Sequence, residues 1–400
     1  MVKIKIHRGT HQIGGSVVEI KTEKSRIFVD FGEELPPLGA KEKQSGAPLE
    51  IEGLTTGKAD CGGLFFTHAH GDHMGMYQSV LEDVPLYMGE ASKEIYLCIQ
   101  NRVKHVKPEI SKKLKLLENA RTFKAKDEIK VGDITVKPYF VDHSAYDAYM
   151  FLIEAEGKRI LHTGDFRTHG FRGKGVEKML DYYVGNVDLL ICEGTMLSRS
   201  GEEQNVLSEA KLMEQLDDYY SQAKYVFLMC SSTNIDRIAA AYSKIPKLRY
   251  FLCDDYQKDV LDIVEKYGAK KSSGFYKFTI ARDYTKIDMN DAIKKGFCML
   301  VRPTDKFAKI MEPFKKENSL VLYSMWKGYL EQYSKYLDGF RYEYWHTSGH
   351  ATPSALKTVC DTVKPNIGVI PIHTEAPREL AKLVSPYRVL NVNDNDEIII

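Results

Sequence analysis

The chain has 400 residues, a length that predicts two or three domains because one domain holds about 150 residues. Apolar residues make up 43% of the chain and charged residues 28%, which excludes an intrinsically disordered protein. Lys and Arg number 56 against 55 Asp and Glu, so the formal charge of +1 excludes a generally basic nucleic-acid coat but not a local basic groove.

Seven cysteines are scattered singly, without a Cys-x-x-Cys pair, and their odd number argues against a complete disulfide framework. The N-terminal segment Met1–His7 alternates apolar and charged residues and lacks the apolar core of a signal peptide. No stretch approaches the roughly 18 consecutive apolar residues of a membrane span. We therefore expect a cytoplasmic, reduced protein that does not bind a membrane.

Short β-branched runs broken by glycines dominate the first part of the chain. The predicted strands are Val2–Ile6, Val17–Ile20, Arg26–Val29, Gly62–Phe66, Ile134–Phe140, Ala148–Ile153, Arg159–Leu161 and Val187–Ile191. Helical periodicity appears around Gly75–Leu81, Ser92–Val103 and Ser111–Leu117. This mixture predicts a layered α/β protein with mixed sheets.

After Thr195 helices and strands alternate regularly. The predicted elements are the helices Glu209–Tyr220, Asn234–Ile245 and Tyr256–Tyr267 and the strands Tyr225–Cys230, Arg249–Leu252, Cys298–Val301 and Leu320–Tyr323. Such alternation is typical of a separate doubly wound domain with a parallel sheet. The chain then continues with a helix at Pro353–Val363, a strand at Gly368–Ile372, a helix at Arg378–Leu383 and a terminal strand.

The segment Thr67–His73 carries the strongest chemical signal, because His68, His70, Asp72 and His73 all follow one predicted buried strand. A loop at the end of a strand can fold such side chains around a point, which one face of a regular element cannot do. Imidazole nitrogen and carboxylate oxygen are ligands for zinc and similar divalent ions. We therefore predict a metal site rather than a merely polar turn.

Three further ligand candidates follow predicted strands elsewhere in the chain. His143 comes after Ile134–Phe140, Asp165 follows Arg159–Leu161, and His373 follows Gly368–Ile372. Each alone would be an ordinary turn residue. Their shared position at strand ends favours a common site.

This ordered set of motifs resembles the metallo-β-lactamase superfamily, and its later members resemble the β-CASP nucleases of the RNase J type. The motif His-x-His-x-Asp-His is followed by a lone His and by Thr-Gly-Asp. Cys192–Thr195, His346–Ala351 and Pro371–Glu375 are similar to motifs A, B and C of that family. Ile13–Gly15 and Cys230–Arg237 also look like segments of these enzymes.

The resemblance implies an α/β fold in which a metallo-β-lactamase αββα sandwich carries an inserted doubly wound α/β β-CASP domain. Residues 1–195 and 345–400 would form the metallo-β-lactamase core, and residues 196–344 would form the inserted domain. The chain leaves no room for the family's extra C-terminal domain, so we expect a minimal two-domain form.

The resemblance further implies two divalent metal ions, with zinc expected first and manganese as the alternative. The implied metal ligands are His68, His70 and His143 for one ion, Asp72, His73 and His373 for the other, and Asp165 as the bridge. In the family the residue matching Asp72 also accepts the proton of the attacking water. His350 would stabilise the phosphate or protonate the leaving oxygen, and Glu193 would orient His350.

A second group of residues is predicted to contact phosphate or RNA. Ser348 and Gly349 could cradle a phosphate through main-chain amides and a hydroxyl, with His346 beside them. Ser232 and Asn234 could line the other wall, because Asn234 opens a predicted helix whose N-terminus would face an anion.

The basic loop Arg167–Lys174 is equally compatible with a contact to nucleic acid and with an ordinary charged surface. The expected function is hydrolysis of phosphodiester bonds in single-stranded RNA by a metal-dependent ribonuclease. RNA is favoured over DNA because motif C carries His373, as it does in the RNA-cleaving members. The alternatives are a DNA nuclease or small-ester hydrolase on the same core, and a non-catalytic RNA-binding subunit. We allow for a homodimer.

Overall fold

The computed structural model describes residues 1–35, 49–104, 109–199, 201, 206–268 and 274–400. The chain divides into two compact units. Unit 1 comprises Met1–Val206 and Gly349–Ile400, and unit 2 comprises Leu207–Ser348. The second unit is therefore an insertion in the chain of the first. The predicted domain boundaries lie 11 and 4 residues earlier and stay a prediction.

Unit 1 contains two sheets. In spatial order, the first sheet consists of Glu397–Ile399, Lys3–Arg8, Val17–Lys21, Arg26–Val29, Gly63–Phe65, Leu86–Gly89 and Arg121–Phe123. The second sheet consists of Gly368–Ile372, Leu189–Glu193, Lys158–His162, Ala148–Ala155, Ile134–Val141 and Ile129–Val131. Leu189–Glu193 pairs in parallel with Gly368–Ile372, so the chain returns to the same sheet after the insertion.

The inner faces of the two sheets share one apolar core. Ile4, Ile20 and Phe65 from the first sheet pack with Phe151 and Ile191 from the second. Alternating β-branched and aromatic residues give each strand one face for this core, because successive side chains point to opposite sides. Burial of these side chains removes apolar surface from water and stabilises the sandwich.

Helices cover the two outer faces of the sandwich. In the described part of unit 1, the α-helices of four or more residues are Gly71–Met74, Glu90–Val103, Glu109–Glu118, Val176–Met179, Pro353–Val363 and Pro377–Leu383. Shorter 3₁₀ turns lie at Gly75–Ser79, Gly173–Gly175 and Thr195–Ser198, and a π-helical turn at Leu180–Val184. Met74, Tyr96 and Leu117 pack on the first sheet, while Leu356 and Leu380 pack on the second. The result is the four-layered αββα arrangement of the metallo-β-lactamase fold.

Unit 2 is built on a six-stranded sheet whose strand pairs are all parallel. In spatial order its strands are Ala281–Asp283, Tyr250–Cys253, Phe297–Val301, Tyr225–Met229, Ser319–Tyr323 and Tyr342–Tyr344. The helices are Glu209–Glu214, Leu216–Gln222, Ile235–Ser243, Asp255–Gly268, Met289–Lys295, Asp305–Met311 and Leu330–Tyr333. The central strands are buried on both faces, which explains their continuous apolar sequences.

The long predicted strands and helices correspond to observed elements, and the differences concern short ones. The predicted helix Gly75–Leu81 is a 3₁₀ turn that ends at Ser79, and Glu209–Tyr220 is divided at Gln215. The strands Leu86–Gly89, Arg121–Phe123 and Tyr342–Tyr344 were not predicted, because three or four residues carry little periodicity. Among the described residues no helix is both long and apolar enough to cross a membrane.

Candidate metal centre and active site

The chemically important side chains of unit 1 lie at the carboxyl ends of five strands. His68 to His73 follow Gly63–Phe65 of the first sheet. Four strands of the second sheet supply the rest, because His143 follows Ile134–Val141, Asp165 follows Lys158–His162, Glu193 ends Leu189–Glu193, and His373 follows Gly368–Ile372. The sheets thus bring residues separated by up to 305 positions to one edge of the sandwich.

Asp30 fixes the start of the histidine-rich loop. Its carboxylate accepts hydrogen bonds from the Thr67 main-chain N at 2.8 Å and from Thr67 Oγ1 at 2.8 Å. Gly32 lets the chain pass close to this loop, since a β-carbon there would lie 1.6 Å from the main-chain oxygen of Asp72. Beyond His70 the chain forms the short helix Gly71–Met74, which turns Asp72 and His73 towards the strand ends.

Three imidazoles form the first ligand group. His68 Nε2 lies 3.1 Å from His70 Nδ1, and His143 Nε2 lies 3.3 Å from the same atom. One nitrogen of each ring lies within 4.8 Å of the other two. This is the group that the resemblance assigned to one ion.

Asp72, His73 and His373 form the second ligand group, with His373 Nε2 3.2 Å from Asp72 Oδ2. Asp165 Oδ2 lies between the groups, 3.1 Å from His73 Nε2 and 3.9 Å from both His68 Nε2 and His373 Nε2. All seven predicted ligands therefore lie together.

The charge states of the first ligand group and of the two carboxylates favour a cation. Burial lowers the pKa of His70 to about 4 and holds the pKa values of His68 and His143 well below the usual range, so these rings are neutral and keep a lone pair. Burial raises the pKa of Asp72, but the neighbouring His73 and His373 outweigh it and lower that pKa. Burial also raises the pKa of Asp165, and His373 and His73 again outweigh it.

A buried oxygen without a hydrogen-bond partner is a second reason why these side chains fit divalent metal ions. Asp165 Oδ1 is a buried oxygen without a hydrogen-bond partner among the described residues. A buried oxygen of this kind is costly unless something compensates it, and a metal ion does so. Neutral imidazoles and carboxylates are the ligands of zinc and manganese sites, so the cluster is consistent with divalent metal binding.

The opposite nitrogens of four ligand rings are held by hydrogen bonds. His73 Nδ1 donates to Asp30 Oδ2 at 2.8 Å, and His143 Nδ1 donates to the Gly349 carbonyl at 2.6 Å. His68 Nδ1 lies 3.0 Å from Thr67 Oγ1, and His373 Nδ1 lies 2.9 Å from Thr195 Oγ1. Such partners fix the ring orientation of metal-binding histidines.

His350 and Glu193 form a pair beside this cluster, with His350 Nδ1 3.3 Å from Glu193 Oε2 and 3.5 Å from Asp165 Oδ2. Burial lowers the pKa of His350, but the charges of Glu193, Asp165 and Asp72 outweigh it and raise the pKa to about 9. Glu193 Oε1 also accepts hydrogen bonds from the main-chain N of Phe166 and of Ala351, both at 3.1 Å. A cationic imidazole is therefore held beside the ligand groups.

The residues predicted to contact phosphate fall in both units. Gly349 belongs to unit 1, whereas His346, Ser348, Ser232 and Asn234 belong to unit 2. Ser232 Oγ lies 2.9 Å from the Tyr256 hydroxyl. Asn234 directly precedes the helix Ile235–Ser243, and its buried Oδ1 has no hydrogen-bond partner among the described residues.

Sequence reasoning missed the residues that support the ligands. Asp30, Thr67 and Thr195 contact ligand rings, and Arg167 forms a fully buried ion pair with Asp142 at 2.7 Å. Arg167 is therefore not available to a nucleic-acid backbone. Asp30 directly follows the strand Arg26–Val29. The position at a strand end, which identified the predicted metal ligands, could therefore have identified Asp30 as well.

The chain is similar to several known proteins. Residues 44–227 match the family model of the β-lactamase superfamily domain. Ribonuclease J of Helicobacter pylori is 25% identical over 248 residues, which are 60% of this chain and 34% of the relative. Probable RNase MJ4 of Methanocaldococcus jannaschii is 28% identical over 197 residues, which are 46% of this chain and 43% of the relative.

The matches to these two relatives thus span about a third to two fifths of the relatives' own length. The crystal structure of a protein of unknown function from Enterococcus faecalis V583 is similar over 100% of both chains, with a TM-score of 0.79 and 22% identity. That likeness concerns the fold alone. The chain has the metallo-β-lactamase fold and resembles the RNase J-like nucleases of the β-CASP family.

Proposed function

We propose that this protein is a metal-dependent ribonuclease that hydrolyses phosphodiester bonds of single-stranded RNA. The observation that carries this proposal is the convergence of seven ligand side chains beside the His350–Glu193 pair. Relatives named Ribonuclease J add independent support for RNA as the substrate.

His68, His70 and His143 would hold one ion and Asp72, His73 and His373 the other, and Asp165, whose Oδ2 lies between the groups, would contribute a ligand oxygen. Two divalent ions supply a water of lowered pKa and neutralise the charge that develops on the phosphate. The ligand side chains would fix the positions of the ions, because hydrogen bonds to the opposite ring nitrogens hold the imidazoles in place.

Asp72 and His350 would move the protons. Asp72 is an ionised carboxylate beside the second ligand group, so it can accept a proton from the attacking water. His350, held cationic by Glu193, can stabilise the phosphate or donate a proton to the leaving oxygen. Ser348, Gly349, His346, Ser232 and Asn234 are our candidates for contacts to the RNA backbone.

A cleavage assay on one sequence prepared as RNA and as DNA tests the proposal. The strand carries a 5′-monophosphate and a 3′ label, and the protein is loaded with Zn²⁺ or Mn²⁺. We expect cleavage of RNA that Asp72→Ala and His350→Ala abolish. Asp181→Ala removes an exposed carboxylate of the same unit and serves as the control that retains activity.

The product pattern separates the remaining alternatives. A ladder from the 5′ end would indicate exonucleolytic attack, and internal cuts would indicate an endonuclease. Equal or preferred cleavage of the DNA strand would overturn the ribonuclease and favour a DNA nuclease. Metal-loaded protein that binds RNA but cleaves neither strand would favour a non-catalytic RNA-binding subunit.

A further inference from the structure

We propose that Thr195 is a positioning residue that orients His373 and thereby sets the metal affinity of the group Asp72, His73 and His373. The inference deepens the proposed function and rests on its metal centre. Thr195 itself is not a metal ligand in this proposal, and it acts only through the imidazole that it contacts.

The main chain of His373 is held in an unusual conformation. Its φ of +51° lies in the left-handed region, which residues other than glycine rarely adopt. Two contacts hold it there. The His373 main-chain N donates to the Gly9 carbonyl at 2.7 Å, and the His373 carbonyl accepts from Thr195 Oγ1 at 3.3 Å.

The same hydroxyl also contacts the imidazole ring. Thr195 Oγ1 lies 2.9 Å from His373 Nδ1 and 3.3 Å from the His373 carbonyl oxygen, so one hydroxyl holds both the ring and the main chain of this residue. The other ring nitrogen, Nε2, lies on the side of Asp72 and Asp165.

The position of Nε2 has a consequence for the metal centre. His373 Nε2 lies 3.2 Å from Asp72 Oδ2, so the ring nitrogen and the carboxylate oxygen face the same point. Such an approach is favourable only when a cation or a proton lies near both atoms. Thr195 thus prepares the ring for a cation before one binds, and the affinity should fall when the hydroxyl is removed.

Thr195 is well placed for this role. It opens the 3₁₀ turn Thr195–Ser198 directly beyond the strand that ends at Glu193, and its main-chain N donates to Glu193 Oε2 at 3.3 Å. The residue is buried, with 3% of its surface exposed, so its hydroxyl cannot turn to solvent. The main-chain hydrogen bond and the burial of the side chain therefore hold Thr195 in one conformation.

Metal affinity, measured without any substrate, tests the inference. Zn²⁺ is titrated into metal-free protein against a chromophoric chelator for the wild type, Thr195→Val, Thr195→Ser and Thr22→Val. We expect Thr195→Val to weaken binding of one of two ions by about 10- to 100-fold. Thr195→Ser keeps the hydroxyl and should bind nearly as tightly as the wild type.

Thr22→Val is the matched control. Thr22 is also buried and its Oγ1 is hydrogen-bonded, donating to Asp133 Oδ1 at 2.8 Å and accepting from the main-chain N of Ser25 at 2.9 Å and of Lys24 at 3.2 Å. It has no contact with a ligand residue, so its substitution should lower stability without changing metal affinity. The visible spectrum of bound Co²⁺ should change in Thr195→Val and remain unchanged in Thr22→Val.

Two results would overturn the inference. Folded Thr195→Val that binds both ions as tightly as the wild type would exclude the role, and equal loss in Thr195→Ser would assign the effect to packing of the methyl group. Should Thr195→Val not fold, Thr195→Ala removes the same hydroxyl with a smaller side chain and gives the same readout. Wild-type protein that binds no ion would instead contradict the proposed function itself.

Discussion

The main-chain carbonyl of Gly349 accepts a hydrogen bond from His143 Nδ1 at 2.6 Å, which links the Ser-Gly-His motif to a ligand histidine. No side chain fits at Gly349, because a β-carbon would lie 2.5 Å from Ser144 Oγ and 3.3 Å from His143 Cε1. The glycine thus serves the ligand group as well as the predicted phosphate contact.

Gly349→Ala should therefore displace His143 and reduce both metal affinity and RNA cleavage, each by about tenfold or more. Chelator competition and the cleavage assay measure the two effects. Gly175→Ala is the control, since nothing lies within 4 Å of its β-carbon position. Equal affinities in the two variants would show that the contact does not position the ring.

Glu193→Gln should lower the free energy of unfolding by about 1 to 3 kcal/mol, because an amide nitrogen cannot accept the hydrogen bonds of the buried main-chain donors. Those donors are Phe166 N, Thr195 N and Ala351 N. His350→Ala should abolish cleavage with a much smaller loss of stability. Urea unfolding and the cleavage assay distinguish the two variants, and equal stability losses would contradict this division of roles.

Arg167→Met should lower the free energy of unfolding by about 3 to 5 kcal/mol, because it leaves the Asp142 carboxylate buried without its partner. Adding Asp142→Asn should recover part of that loss, since Asn can still accept the bond that Arg172 N donates at 2.6 Å. Urea unfolding of both single variants and the double variant gives the coupling. Strictly additive losses would show that the pair contributes no interaction of its own.

Stability should fall in acid as Glu19 is protonated. Burial raises the Glu19 pKa, but hydrogen bonds from His7 and Arg26 outweigh it and lower the pKa from 4.5 to about 2. A lowered carboxyl pKa stabilises the fold above pH 4.5, and this contribution, at most about 3 kcal/mol, is lost as the pH falls towards 2. Urea midpoints of the wild type and Glu19→Gln at pH 7, 4 and 3 should therefore converge, and parallel curves would contradict the prediction.

Removal of metal with EDTA should destabilise unit 1, because ions that bind only the folded state stabilise it by about 2.7 kcal/mol at a hundredfold excess over Kd. Thermal unfolding with and without EDTA measures the effect. His373→Ala should respond less than the wild type, since it lacks one ligand. An unchanged midpoint in the wild type would show that no ion is bound under these conditions.

The ligand residues could be recognised from the sequence because their signal is local. His68 to His73 occupy one loop, and His143, Asp165 and His373 each directly follow an apolar run with the features of a strand. All of these residues follow predicted strands, and this shared position favoured one common site. The resemblance to a known family added the pairing into two groups and the roles of Glu193 and His350.

Only the tertiary structure decided which groups hold those ligands in place. Asp30 and His73 are separated by 43 residues, and Thr195 and His373 by 178, so no periodicity in the sequence connects them. Arg167 lies in a basic loop whose sequence is compatible with a surface contact, but its side chain is buried against Asp142. A polar side chain can face solvent, a metal ligand or a counter-ion. Which of these it faces depends on its direction and on the segment packed against it, and both are determined only when the sheets pack together.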